Sequence, residues 1–555
     1  MAGVNTPTEL ADELLGVMFD ADPVAASLYG FHEHDDRLPD PSLAAELALR
    51  EHAEDVRVRA MAVDTTHADL EQRLTIAVVV QHAQATVAQL DARAPEYTVI
   101  GNVFAPVAGL LFHLGQVPVA DAEQGAAFLQ RLRQLPAFTA AVAQRHREGA
   151  AAGRVPVRVL VDDAVHHLDD YLAAPDRDPL RTPDLHDPGL ERERERVLAD
   201  EVHPALREYR DVLATEIAPV SRPDDRPGLC WIPCCHEIYQ RLVHAHTSTD
   251  HTPQELHDTG LARIAALREE VAELGGRLWD ERDPEAVLAR LRTDPALRWR
   301  DGEEMLESAR SAIARAETAA PRWFGTLPDQ PCEVRPVPGA AAESTPLGFY
   351  LSPALDGSRP GVYFANTEHA ERRPRYNSEV IAFHEVVPGH HLQLSLAQRR
   401  TELPMLRRLI SINAYTEGWG LYTERLADEM GLYSDDLVRL GMVAQEMLRA
   451  GRLVVDTGLH EFGWSRDRAL EYLRTNTTLP ELEITAEVDR YISYPAQALS
   501  YLVGKLEIDR VRAIAQQRLG ADFDIRRFHD TLLRHGALPV STLDPLVHEE
   551  LGLPR

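Results

Sequence analysis

Apolar residues return every three or four positions along most of this 555-residue chain. In ELADELLGVMF (9–19) and LARIAALREEVAEL (261–274) they fall on one helical face, with Arg, Glu and Asp on the other. The pattern predicts a chain dominated by amphipathic helices. One helix start is sharply marked: Thr252-Pro253-Gln254-Glu255 joins a capping box to a proline at the first helical position. The preceding HAHTSTDH (244–251) then reads as a loop. Pro/Gly-rich interruptions at 216–233 and 327–348 are candidate subdomain joints in a single domain spanning residues 1–555. Residues 348–366 differ from the rest. Two short apolar-aromatic runs flank a turn rich in Asp, Gly, Ser and Pro, which predicts a β-hairpin.

The densest chemistry follows that hairpin, in NSEVIAFHEVVPGHHLQ (377–393). Asn377 or Ser378 can cap a helix that carries His384 and Glu385. The zinc-binding pattern H-E-x-x-H places two histidines four residues apart on one helix face, but here the second position is Pro388. On a straight helix His390 is rotated by about 240° from His384, and His391 lies about 10 Å further along the axis. Neither shares a metal with His384 unless the helix breaks. Pro388 has no N–H for the carbonyl of residue 384 and clashes with it, and Gly389 relaxes the backbone that follows. The segment therefore reads as an interrupted metal motif, with His390 and His391 both open as the second ligand.

A catalytic metal site needs a third protein ligand. Residues 408–430, RLISINAYTEGWGLYTERLADEM, predict a helix carrying Glu417. Gly418 and Gly420 each weaken such a helix by roughly 1 kcal/mol relative to Ala, so they point to a close backbone approach, expected from the histidine helix. Glu424, seven residues beyond Glu417 on the same face, is the fallback ligand or a partner to a ligand.

HEVVPGHHLQ, EGWGLYTE and RYISYPAQALSYLVGK together resemble the bacterial DUF885 family, which is similar to gluzincin peptidases of the angiotensin-converting-enzyme and oligopeptidase type. The resemblance runs almost end to end. It implies an all-α, two-lobed zincin-like fold, with the metal helix in the floor of a deep groove and a small strand element beside it. It implies one zinc ion per chain, bound by His384, His390 and Glu417. His390 is preferred to His391 because the family keeps the His of PGH.

The implied activity is zinc-dependent hydrolysis of short peptides, with Glu385 as general base. Tyr491, Tyr494 and Tyr501 are candidates to stabilise the oxyanion, with Tyr491 first because YISY resembles the local pattern of related peptidases. Arg490 and Lys505 are candidates to pair with a substrate carboxylate. Lys505 is the sole lysine of the chain. His460 is a candidate groove residue. Two rivals are an amidase acting on a small non-peptide metabolite and a silent binding protein of the same fold. Glu385 argues against the second, since binding alone has no need of it.

Composition narrows the partners. The formal net charge is −30, which disfavours nucleic acid and anionic membrane surfaces. The N-terminal stretch lacks a basic segment followed by an apolar core, and no run of about 18 apolar residues occurs, so a cytoplasmic protein without a membrane span is expected. Four cysteines, Cys230, Cys234, Cys235 and Cys332, fit a reducing compartment and no disulfide framework. The Cys230…Cys234-Cys235-His236 group has no matching second half at zinc-site spacing and reads as structural.

Overall fold

The apolar stripe of residues 9–19 is spent on the core. Helix Pro7–Ala21 buries Leu10, Ala11, Leu14, Leu15 and Phe19, and Thr6 and Glu9 cap it reciprocally. The helix at Pro253–Trp279 starts where its capping box predicts: Glu255 N–H donates to Thr252 Oγ1 at 3.2 Å, and Thr252 N–H donates to Glu255 Oε2 at 2.8 Å. The loop expected at 244–251 is shorter than the sequence suggests. His244 to Thr247 end a helix, His236–Thr247, because Leu242, Val243 and Tyr239 are buried and hold its last turns against the core. The computed structural model describes residues 6–233, 236–337, 347–355 and 359–553. Helices predominate, with one small three-stranded sheet.

Among the described residues three apolar clusters hold the chain together. The largest joins the helices before Ala92 to residues from Leu229 onward. A second draws on Val24 and residues 99–218, including Phe128, Leu132 and Leu206. A third bridges them, where Ile100, Val157 and Leu160 meet Val454, Leu459 and Tyr491. The second cluster ends at Ala218, inside the Pro/Gly-rich stretch 216–233.

The sheet contains β1 (Cys332–Pro336), β2 (Gly348–Leu351) and β3 (Gly361–Ala365), in the order β1-β3-β2. β2 and β3 pair antiparallel with Tyr350 opposite Tyr363, as the hairpin pattern predicts; the turn residues 356–358 lie outside the described residues. β1 was not foreseen. It lies within the Pro-rich break, runs parallel to β3 and ends at Pro336. Proline is tolerated there because an edge strand leaves one side of its backbone unpaired.

Six helices position the site: α1 (Ser378–Glu385), α2 (His390–Gln398), α3 (Asn413–Glu429), α4 (Asp436–His460), α5 (Glu481–Ser493) and α6 (Ser500–Leu519). α3 and α6 touch backbone to backbone. A Cβ on Gly504 would stand 1.7 Å from the Ala414 carbonyl oxygen, and one on Gly418 would stand 2.5 Å from the Gly504 Cα. Gly504→Ala is therefore expected to destabilise the fold by about 1–3 kcal/mol or more through overpacking, measured by denaturant unfolding.

A second brace ties the N-terminal helices to this region. Glu71, near the start of helix Leu70–Ala92, accepts from the buried Arg407 Nη1 at 2.6 Å and from His535 Nδ1 at 2.7 Å. Partial burial acts against the charged carboxylate, but these two donors outweigh it and bring Glu71 from 4.5 down to about 2. A depressed folded-state value contributes stability that is complete above the unfolded value and lost as pH falls through the folded one. The stability difference between wild type and Glu71→Gln is expected to narrow between pH 4.5 and 2, read from thermal unfolding across that range.

Candidate metal centre

α1 ends at Glu385, and the chain then leaves helical geometry. Val386 has φ −113° and ψ −96°, and Gly389 has φ −81° and ψ −132° before α2 begins at His390. Gly389 is required by space: a Cβ there would lie 1.8 Å from the His384 carbonyl oxygen. The freed carbonyl of Pro388 is taken by Trp419 Nε1–H at 3.0 Å. This break folds His390 back onto His384, and their rings lie 4.8 Å apart, edge to face at 89°.

Glu417 on α3 completes the group. Its Oε2 lies 3.7 Å from His384 Nε2 and 3.6 Å from His390 Nε2. One donor atom from each of His384, His390 and Glu417 falls within 4.8 Å of the others. Tetrahedral ligands about 2.0–2.1 Å from a zinc ion stand roughly 3.3–3.4 Å apart, so these side chains need only small shifts to close on one ion. The donor set, two imidazoles and a carboxylate, suits zinc. His384 Nδ1–H donates to Glu424 Oε1 at 2.8 Å. That bond fixes the tautomer and leaves Nε2 facing Glu417, the arrangement that orients ligating histidines. Glu424 thus partners a candidate ligand rather than replacing one.

The charges within this cluster reinforce one another. Burial penalises the His384 cation, but hydrogen bonds to Glu417 and Glu424 outweigh burial and raise it to about 9. Burial also acts against the Glu417 carboxylate, yet the two histidines hold it well below the usual carboxylate range. Glu385 is half-buried, and burial raises its carboxyl while His384 and His390 oppose the rise. Among the described residues it has no hydrogen-bond or ion-pair partner. It lies within electrostatic reach of Cys332 on β1 and Tyr363 on β3, between the cluster and the sheet.

The two sequence alternatives for the second ligand separate cleanly in space. His391 Nε2–H donates to the Gln330 carbonyl at 2.9 Å, and its Nδ1 accepts from Tyr350 O–H at 2.9 Å. Both nitrogens are committed to the sheet side. The paired glycines of α3 also separate. Gly420 makes room for the His384 ring, 2.6 Å from where its Cβ would be, as expected of a contact with the histidine helix. Gly418 instead meets Gly504 on α6.

Several other candidate residues are not available to a ligand. Tyr491 is fully buried and donates its hydroxyl to Glu487, with Arg452 Nε 3.3 Å away. His460 is fully buried: Nδ1 accepts from Leu229 N–H and Nε2–H donates to the Tyr491 carbonyl, both at 3.0 Å. Burial brings it down to about 4, so it is a neutral link between the 216–233 stretch and α5. Lys505 is buried and donates to Asp509 at 2.6 Å, with Glu446 at 3.5 Å. These three were candidates because their types and motif positions suit a groove; their donors and acceptors are spent on the core.

Tyr494 caps the end of α5 and packs on Phe104 and His246. Arg490 donates to Gln497 at 2.7 Å and lies 3.4 Å from Glu487. Tyr501, on α6, is part-exposed, and its phenol is raised by burial and by the Glu417 carboxylate. Cys230 and Cys332 are free thiols; Cys234 and Cys235 lie outside the described residues.

Sequence reading missed Arg449 and Arg452, which flank Tyr501. Their signal was arginine on the buried face of LRAGRLVVDTGLH, where a solvated side chain has no place. No helix among the described residues is long and apolar enough to cross a membrane.

Two solved structures share this architecture. A candidate lipoprotein of Colwellia psychrerythraea superposes with a TM-score of 0.89 at 25% identity, covering 98% of this chain and 99% of its own. A candidate lipoprotein of unknown function from Shewanella oneidensis gives 0.77 at 17% identity, with the same coverage, and shows likeness of fold alone. Curated proteins give no significant match. The model of a bacterial protein family of unknown function matches residues 23–547, and the chain belongs to that family, DUF885.

Proposed function

We propose that this protein is a zinc-dependent peptidase acting on short peptides, on a two-lobed helical zincin-like architecture similar to that of gluzincins. One observation carries the reading. His384, His390 and Glu417 converge on one point across a helix break, with the carboxylate of Glu385, without a hydrogen-bond or ion-pair partner among the described residues, next in sequence to His384. A purely structural cluster has no use for that carboxylate.

His384, His390 and Glu417 would hold the ion, and Glu424 would keep His384 Nε2 directed at it. Bound zinc supplies Lewis acidity toward a carbonyl oxygen and toward water. Glu385 takes the proton of the attacking water on its carboxylate and returns it to the leaving amine nitrogen. The half-buried setting that raises Glu385 suits a group that must both accept and release a proton. Tyr501 is the best-placed hydroxyl donor for the developing oxyanion, because it is part-exposed and senses Glu417, whereas Tyr491 is occupied by Glu487. The sheet beside Glu385 offers backbone for pairing with an extended peptide.

Purified protein is expected to carry about one zinc per chain by elemental analysis. Glu385→Gln should keep that zinc and lose about 100-fold or more in hydrolysis of a peptide library read by mass spectrometry. A variant that stays fully active would remove Glu385 from the mechanism. Tyr501→Phe should lower kcat by about 100-fold with unchanged thermal stability. Tyr491→Phe should do the reverse, lowering the unfolding temperature while sparing kcat more.

A further inference from the structure

Beside the candidate metal centre, α4 and α5 bring three arginines together around one tyrosine. Arg452 lies over the Tyr501 ring at 4.6 Å, and Arg449 at 5.9 Å. Arg490, on α5, shares Glu487 with Arg452. The group is joined to the metal cluster through one oxygen: Glu424 Oε1 is 2.8 Å from His384 Nδ1 and 3.8 Å from Arg449 Nη2.

The cations outnumber the carboxylates available to them. Glu487 serves both Arg452, at 2.9 Å, and Arg490, at 3.4 Å, and also accepts from Tyr491. Among the described residues Arg449 hydrogen-bonds Gln445 alone; Glu424, with Oε1 accepting from His384 and Oε2 buried without a partner, stands 3.8 Å from Arg449, beyond hydrogen-bond distance. Asp456 accepts from Tyr239 O–H at 2.6 Å and from Ala496 N–H at 3.0 Å; Arg490 is within electrostatic reach of it but makes no hydrogen bond to it.

Unmet donors mark the same three residues. Arg449 Nε, Arg452 Nη1 and Arg490 Nε are buried, and no described residue accepts from them. Arg452 itself is only 7% exposed. Single unpartnered guanidinium nitrogens occur elsewhere, at Arg145, Arg181, Arg194, Arg315, Arg407 and Arg512, but each of those arginines has a carboxylate within 2.9 Å. Three on neighbouring cations that share one carboxylate is a different situation, since interiors leave few charged donors unsatisfied.

We propose that Arg449, Arg452 and Arg490, gathered around Tyr501, form a subsite for a carboxylate carried by the substrate. A carboxylate accepts from several guanidinium N–H groups at once and balances the surplus charge. Glu487, Tyr491 and Gln497 already fix Arg452 and Arg490, so little side-chain freedom is lost on binding. The negative field of the whole protein does not select anions; selection is local to these three guanidinium groups. The ligand is a peptide only if the peptidase reading holds; the affinity for a carboxylate stands apart from it.

The test is calorimetric, on the full-length Glu385→Gln protein, so that ligands are not consumed. An N-acetylated dipeptide with a free C-terminal carboxylate is compared with its C-terminal amide, and with an amide-capped peptide bearing an Asp or Glu side chain. The free acid is expected to bind about 10- to 100-fold tighter than the plain amide. Arg452→Gln and, separately, Arg449→Gln should abolish that preference, with thermal unfolding confirming that each variant is folded. Arg449 lies outside the Glu487 bonds, so its variant remains informative if Arg452→Gln fails to fold.

Tight binding of the acidic amide-capped peptide assigns the subsite to an acidic side chain; tight binding of the free acid alone assigns it to the chain terminus. Equal binding of acid and plain amide, or binding of neither, overturns the subsite, as does a preference that survives in both folded variants. A preference that persists while wild-type protein cleaves no peptide overturns the peptidase reading and leaves the subsite standing.

Discussion

Helix α3 can place Glu417 between two imidazoles only because its backbone approaches both neighbours at glycine distance. On one side Gly420 admits the His384 ring; on the other Gly418 meets Gly504 and the start of Lys505. A side chain at any of these three positions would push a helix away by more than the few tenths of an ångström a well-packed interior absorbs. The placement of Glu417 is thus a packing result before it is an electrostatic one. Trp419, between the two glycines, turns the same packing to a further use by capping the carbonyl of Pro388 itself. Four successive residues, Glu417 to Gly420, serve the cluster, the α6 crossing, the helix break and the His384 ring.

Charge is then distributed over this scaffold in linked groups. Glu424 connects His384 to Arg449, Tyr501 connects Arg449 to Arg452, and Glu487 connects Arg452 to Arg490 and Tyr491. A separate group, Glu446 with Arg263, Arg425 and Lys505, lies along the other face of the α3–α4–α6 contact. Burial alone would neutralise carboxylates in such places, but Lys505, Arg425 and Arg263 bring Glu446 down to about 2. The two groups differ in completeness. Each cation around Glu446 has a close carboxylate, whereas around Tyr501 Arg452 and Arg490 share Glu487 and Arg449 reaches Glu424 only at 3.8 Å, and that difference separates a structural network from a binding one.

Much of this was legible in the sequence because local rules act there. The capping box at Thr252 and the two apolar-aromatic runs of the hairpin each specify their own geometry without help from distant residues. Pro388 announced a break in the histidine helix for the same reason. Its outcome was not legible, since whether His390 or His391 returns to His384 depends on the backbone angles at Val386 and Gly389, in a break that Trp419 of α3 braces through the Pro388 carbonyl. The status of Tyr491, His460 and Lys505 was hidden in a similar way. A tyrosine in a helix reads the same whether its hydroxyl faces a groove or a half-buried Glu487 four residues earlier. β1 escaped notice because the four residues between Pro331 and Pro336 carry no periodicity of their own, and their strand state comes from pairing with β3.

The burial of Lys505 has a consequence for how this molecule can be handled. With no other ε-amine in the sequence, and this one enclosed by Asp509 and Glu446, amine-directed acylation has no side-chain target while α6 stays packed on α3 and α4. Reagents that label lysines at random on other proteins would here, on side chains, report a single event, the opening of the core around one nitrogen. The residue that sequence reasoning set in the groove becomes a built-in clock for local unfolding at the centre of the molecule.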